Sequence, residues 1–103
     1  MTTMTDNTIR QDEIISDDEI LILNAARSLA KILATRARTL SYDDRVKDRA
    51  VGSDVPDGFD LGLMMGHYED IEAAIFQALN VTRCYGHVDL TEAQVHNFTQ
   101  NAA

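Results

Sequence analysis

Apolar residues between Ser16 and Leu40 recur with the spacing of an α-helix, and this is the longest such stretch in the chain. At about 100° per residue, one line of positions along the helix is fully apolar. Apolar residues on both sides of this line widen the apolar arc to well over half of the helix circumference. That line consists of Ile22, Ala26, Leu29, Leu33, Ala37 and Leu40. The narrower polar stripe consists of Asn24, Arg27, Ser28, Lys31, Thr35 and Arg38. The pattern predicts a helix over about 17–39 that is covered on two sides.

The start of this helix is marked by local signals. Ser16 and Glu19 have the spacing of a capping box, and Ile15 with Ile20 has that of a hydrophobic staple. These signals predict that the helix begins directly after Ser16.

A second helical pattern covers about 61–83. Asp60 is the predicted N-cap, and Gly86 is the predicted residue just beyond the C-terminal end. Its predicted core line consists of Met64, Ile71, Ile75, Ala78 and Thr82.

Two shorter helices complete the pattern. Ser41 is a good N-cap for a short helix near 42–50, and Thr91 with Gln94 forms a capping box for a helix near 92–100. Residues 52–58 have the glycine, proline and aspartate content of a loop. Residues 1–14 are polar and are expected to form a disordered arm, so the domain should cover 15–103.

We therefore predict an all-α fold, a small bundle in which the helices 17–39 and 61–83 are antiparallel. One proline and five glycines leave few turn signals, which favours long helices over many short strands. Replacing Leu29 or Leu33 by Ala is expected to cost about 2–5 kcal/mol of stability. The predicted core consists of Ile22, Ala26, Leu29, Leu33, Leu40, Met64, Ile71, Ile75, Ala78, Leu79, Val95 and Phe98.

Charge is distributed unevenly along the chain. The net charge is −8, and residues 50–103 hold eight acids but a single base, Arg83. The segment 27–49 holds seven bases and three acids. A basic middle and an acidic second half can steer an oppositely charged partner or a second copy of the chain.

The candidate chemical groups do not form a recognisable catalytic or metal motif. Cys84 and His87 have the spacing of half a zinc site, but no second pair of ligands follows. We therefore expect no enzyme activity, metal or cofactor. A single cysteine favours a reducing, cytoplasmic setting, and no stretch approaches the roughly 20 apolar residues that span a bilayer.

The wide apolar arc of the first helix predicts a homodimer, because a small chain has few elements with which to cover it. The candidate dimer interface consists of Leu21, Ala25, Leu29, Ile32 and Arg36. The alternative is a monomer in which the short helix and the loop fold back over this surface.

Two large apolar residues, Met65 and Phe76, lie on the otherwise polar side of the second helix. With the neighbouring acids Glu69 and Glu72 they form a candidate partner-binding patch. The leading hypothesis is a non-catalytic acidic protein that binds and modulates another protein. One form of it is a phage-type inhibitor of a nuclease, restriction or CRISPR machine, by analogy of size and charge alone.

The alternative hypothesis is a DNA-binding transcriptional regulator that uses the basic segment 27–49. Its candidate anion contacts are Arg36, Arg38, Arg45 and Arg49. Direct nucleic-acid binding by the acidic half is not expected, because Arg83 is its one base. A metal-binding or enzyme subunit is the third and least favoured hypothesis.

Overall fold

The computed structural model describes residues 8–49, 54–84 and 88–101, apart from the side chains of Thr99 and Asn101. All regular elements in these ranges are helices, which confirms the predicted all-α fold. The two long helices pack against each other, and the remaining three are short. In chain order the helices are α1 Gln11–Ile14, α2 Asp17–Ser41, α3 Asp44–Lys47, α4 Gly58–Val81 and α5 Glu92–Asn101.

Both predicted capping boxes are present. Ser16 Oγ accepts a hydrogen bond from the Glu19 amide at 3.1 Å, and Glu19 Oε1 accepts one from the Ser16 amide at 2.8 Å. The Ser16 amide thereby lowers the pKa of the Glu19 carboxyl. At α5 the Thr91 amide donates to Gln94 Oε1 at 2.8 Å, and the Gln94 amide donates to Thr91 Oγ1 at 3.2 Å. These reciprocal bonds satisfy amides that a helix start leaves without partners.

The prediction that Asp60 caps the second long helix was wrong. Asp57 is the N-cap, its Oδ1 accepts from the Asp60 amide at 2.9 Å, and Asp60 Oδ2 accepts from the Asp57 amide at 3.2 Å. Asp60 is therefore the third helical residue of a capping box, and α4 begins three residues earlier than expected.

Helix α4 also ends earlier than predicted, through a Schellman motif centred on Arg83. The Cys84 amide donates to the Leu79 carbonyl at 2.8 Å, and the Arg83 amide donates to the Asn80 carbonyl at 3.0 Å. Arg83 has a φ of 65°, the left-handed conformation that this motif requires. The predicted terminal residue Gly86 lies outside the described residues.

The two short elements near the long helices differ in detail from the expected boundaries. Ser41 is the last residue of α2, and α3 is capped instead by Asp43, whose Oδ1 accepts from the Arg45 amide at 2.9 Å. Residues 11–14, placed in the arm by the sequence pattern, form one helical turn, while residues 1–7 lie outside the described part of the chain.

Contacts along α2 and α4 run in opposite order, which makes the two helices antiparallel. Arg27 lies 3.9 Å from Glu72, whereas Arg38, further along α2, lies 3.3 Å from the Met65 sulfur, nearer the start of α4. At one end of the pair Ala37, Val46 and Leu61 form a buried cluster.

The buried face of α2 is rich in small residues. Ala30, Ala34 and Ala37 are all buried, as is Leu79 on α4. Small side chains allow two helix backbones to approach closely, so α4 packs on this alanine face rather than on the leucine-rich line.

Much of the predicted core was therefore wrong. Ile22, Leu29 and Ile71 are 51%, 41% and 45% exposed, although Leu79 and Val95 are buried as expected. The residues of the predicted core that the structure exposes are Ile22, Ala26, Leu29, Leu40, Ile71 and Ala78. The apolar arc of α2 covers more than half of the helix, so its pattern alone does not determine which part faces α4.

Candidate functional site

Three side chains of the predicted polar stripe are buried and bind the backbone of residues 88–90. Asn24 Oδ1 accepts from the Val88 amide at 3.2 Å, and Arg27 Nη2 donates to the Val88 carbonyl at 3.1 Å. Ser28 Oγ accepts from the Leu90 amide at 2.9 Å. We name Asn24, Arg27 and Ser28 the polar cluster; their exposed fractions are 3%, 5% and 2%.

Ion pairs reinforce this contact. Asp89 lies 3.0 Å from Arg27 Nη2 and 3.6 Å from Lys31 Nζ. The hydrogen bond from Arg27 and the nearby Lys31 charge lower the pKa of the Asp89 carboxyl. The polar cluster and these charges together hold residues 88–90, which lead into α5, against α2.

This cluster was missed because polar residues on a helix are expected to face water. The signal for it was the spacing of Asn24, Arg27 and Ser28, which places all three on one side of the helix. Such side chains can be buried when backbone groups of another segment satisfy them, and here those groups come from Val88 and Leu90.

The candidate anion contacts are all engaged within the chain. Arg36 pairs with Glu92, and Arg38 pairs with Glu69 at 2.9 Å. Arg45 pairs with Asp43 at 2.7 Å and lowers the pKa of that carboxyl to about 2. Arg49 Nη1 donates to the Pro56 carbonyl at 2.6 Å. Acidic groups of the chain itself therefore offset much of the charge of the basic segment.

The candidate partner patch lies on the side of α4 that faces these arginines. Glu69 and Glu72 pair with Arg38 and Arg27, and Met65 is partly buried with its sulfur against Arg38. Phe76 is 39% exposed. The structure thus brings the four residues to one side of α4, with three of them in contacts to α2.

The residues of the candidate dimer interface differ in exposure: four of the five are exposed or partly exposed, and one is buried. Leu21 and Leu29 are exposed, and Ile32 is partly buried. Ala25 is buried within the chain, and Arg36 is exposed but paired with Glu92.

Most residues of the two predicted core lines lie together on one uncovered side of the helix pair, whereas Ala37 of the α2 line is buried. By helix geometry, the line on α2 is roughly 150° around the axis from Asn24 and Ser28, and the line on α4 is roughly 120° from Glu69 and Glu72. Both lines therefore lie away from the side that carries residues 88–90. We name this surface the open face; it consists of Ile22, Ala26, Leu29, Leu33, Leu40, Met64, Ile71, Ile75 and Ala78, all exposed or partly exposed.

A groove lies near each end of the open face. The first has a volume of about 420 Å³. The second, at the other end of α2, has a volume of about 280 Å³. The first is lined by Ile14, Ile15, Glu19, Ile22 and Leu23, and the second by Leu40, Arg45, Val46, Arg49, Pro56 and Leu61.

A third groove, of about 440 Å³, lies between α2 and the start of α5. Ile32 and Leu90 line it, together with the pairs Lys31–Asp89 and Arg36–Glu92. Each cation here is matched by a carboxylate, so the groove carries little excess charge with which to hold an ionic ligand.

No group of three or more histidine, cysteine, aspartate or glutamate side chains in the described residues is arranged to hold a metal ion. Cys84 Sγ accepts a hydrogen bond from Gln11 Nε2 at 3.3 Å, and its proposed neighbour His87 lies outside the described residues.

Among the described helices, none has the length and apolar character to cross a membrane. Comparisons with protein-family models, curated proteins and solved structures found no match to this chain.

Proposed function

We propose that this chain is a non-catalytic protein that acts by binding another protein, and that it does so as a homodimer in the cytoplasm. The open face is the observation that supports the proposal. It brings together two apolar lines from two helices, with Ile22, Leu29 and Ile71 each at least two-fifths exposed. Contiguous apolar surfaces of this kind on small proteins usually mark contacts with other proteins.

The charge supports a partner with a basic surface. The chain carries −8, and a dimer carries twice that charge, so it attracts basic surfaces such as those that bind nucleic acids. We propose that it occupies such a surface on a nuclease or a related machine and blocks it. The alternative, direct DNA binding by Arg36, Arg38 and Arg45, is less favoured because each pairs with a carboxylate in its own chain.

The first experiment measures mass in solution by sedimentation at micromolar concentration. We expect twice 11.5 kDa for the wild type and for Leu63→Asp, and 11.5 kDa for Leu29→Asp. Leu63 is the matched control, since it is an exposed leucine on the side of α4 that points away from α2. A wild-type mass of 11.5 kDa would reject the dimer.

The second experiment identifies the external partner by capture from the source cells and then measures its binding in purified form. We expect Phe76→Asp to weaken binding without changing mass or helicity, while Val81→Asp, another exposed position on α4, leaves binding intact. DNA should compete with the protein for its partner. Tight binding of the wild type to DNA itself, retained after reversal of the four candidate arginines, would contradict the proposal.

A further inference from the structure

We propose that a second copy of the chain covers the open face in an antiparallel two-fold arrangement, α2 against α2 and α4 against α4. In this arrangement Leu40 of each copy enters the groove formed by Ile14, Ile15 and Ile22 of the other. The inference rests on the proposed homodimer and specifies which surfaces meet and in which direction.

The size of the open face suits a second copy. Helix α2 has 25 residues, which corresponds to a length of about 37 Å. Two helix diameters give a width of about 20 Å, so the face covers roughly 700 Å². A stable protein interface buries about 800 Å² per partner, which this face and its end grooves together supply.

Two-fold symmetry leaves two ways to pack this pair of helices face to face. If the axis runs across the helices, α2 lies on α2 of the second copy and the two are antiparallel. If the axis runs along the helices, α2 lies on α4 of the second copy, and equivalent ends of the two copies meet.

The charges that line the end grooves favour the first arrangement. Glu19 lines the first groove, whereas Arg45 and Arg49 line the second. Arg45 is paired with Asp43 in its own chain, but Arg49 donates to a carbonyl, which is a neutral group. An axis along the helices would bring the arginines of the two second grooves together, which costs free energy through like-charge repulsion. An axis across the helices avoids this repulsion, because it places each second groove against a first groove.

The end grooves match in the same arrangement. Leu29 is the midpoint of α2, so a two-fold axis there places Leu40 of one copy opposite residue 18 of the other. That position lies between the residues that line the groove of Ile14, Ile15 and Ile22. The same operation places Glu19 of that groove near Arg45 and Arg49 of the second copy, which line the other groove.

Disulfide formation in the full chain tests the arrangement. In a Cys84→Ser background, Leu29→Cys and Ile71→Cys are prepared separately, oxidised alone and as a mixture, and examined on non-reducing gels. Leu29 and Ile71 lie at about the same level of the helix pair, as the contact of Arg27 with Glu72 shows. A disulfide requires Cα atoms within about 7 Å, whereas helices diagonal in a four-helix layer lie roughly 14 Å apart.

We expect Leu29→Cys alone to form the covalent dimer as its main product, with helicity unchanged by circular dichroism. A covalent dimer that appears chiefly in the mixture, joining Leu29→Cys to Ile71→Cys, would overturn the arrangement and establish the axis along the helices. A noncovalent dimer by sedimentation with no cross-link in any sample would also overturn it, while leaving the proposed homodimer intact. A monomeric wild type would reject both.

Discussion

Replacing Asn24 by Ala should detach residues 88–90, which lead into α5, because Asn24 is the one side chain of the polar cluster that binds both Val88 and Arg27. Its Oδ1 accepts from the Val88 amide at 3.2 Å and from Arg27 Nη2 at 3.4 Å. Its Nδ2 donates to the Ile20 carbonyl at 3.1 Å. Alanine removes all three contacts and adds none.

The magnitude follows from these contacts. The bond from the Val88 amide is only part-buried, since Val88 is 52% exposed, so each of the three bonds is expected to contribute about 0.5–1.5 kcal/mol. The expected total is about 2–4 kcal/mol, a large share of the 5–15 kcal/mol that stabilises a typical domain. If α5 detaches before the rest unfolds, the same cost appears as local opening, with about a 30- to 1,000-fold loss of exchange protection at Val88.

Urea denaturation followed by circular dichroism reports the global cost, and amide hydrogen exchange reports the local one. Asn97→Ala is the matched control, since Asn97 is exposed on α5, and it should change stability by less than about 0.5 kcal/mol. If Asn24→Ala leaves both the unfolding midpoint and the Val88 protection unchanged, the polar cluster does not hold residues 88–90.

Three further results are expected. Leu79→Ala should cost about 2–5 kcal/mol in urea denaturation because Leu79 is 1% exposed; a cost near zero would contradict the packing of α4 on α2. The pKa of the Asp89 carboxyl is lowered in the folded chain. Its ion pairs therefore stabilise the contact of residues 88–90 with α2 at a pH above the ordinary pKa of an aspartate, and this stabilisation is lost as the pH falls through the pKa of the folded chain. Exchange protection of α5 should therefore fall in acid, and Asp89→Asn should weaken this pH dependence. Arg83 has left-handed backbone dihedrals, which glycine adopts without strain and valine does not. Because both variants lose the arginine side chain, Arg83→Gly should be about 1–2 kcal/mol more stable than Arg83→Val in thermal denaturation. Equal stability of the two variants would refute backbone strain at this position.

Local signals in the sequence predicted the starts of α2 and α5 well, because a capping box is made by residues three apart in the chain. Ser16 with Glu19 and Thr91 with Gln94 form the expected reciprocal bonds. The start of α4 was misplaced because Asp57 and Asp60 are both of a residue type that caps helices; Asp57 takes the cap position, and Asp60 is the third helical residue.

The candidate site was less predictable, because burial of a polar side chain depends on partners distant in sequence. Arg27 and Ser28 are buried through backbone groups more than 60 residues away. Pairing of Arg36 with Glu92 and of Arg38 with Glu69 likewise depends on how the helices pack. The spacing of Asn24, Arg27 and Ser28 places them on one side of α2, but it does not identify the distant groups that bind them.

By itself, then, the sequence determined that the chain is helical, where most of its helices lie and that the first long helix carries a broad apolar surface. These properties follow from interactions between residues a few positions apart. The tertiary structure alone decided that α4 packs on the alanine face of α2, that the polar cluster faces inward, and that Ile22, Leu29 and Ile71 face outward. When more than half of a helix is apolar, periodicity allows several packings, and close approach over alanines together with the hydrogen-bonding needs of residues 88–90 selects one.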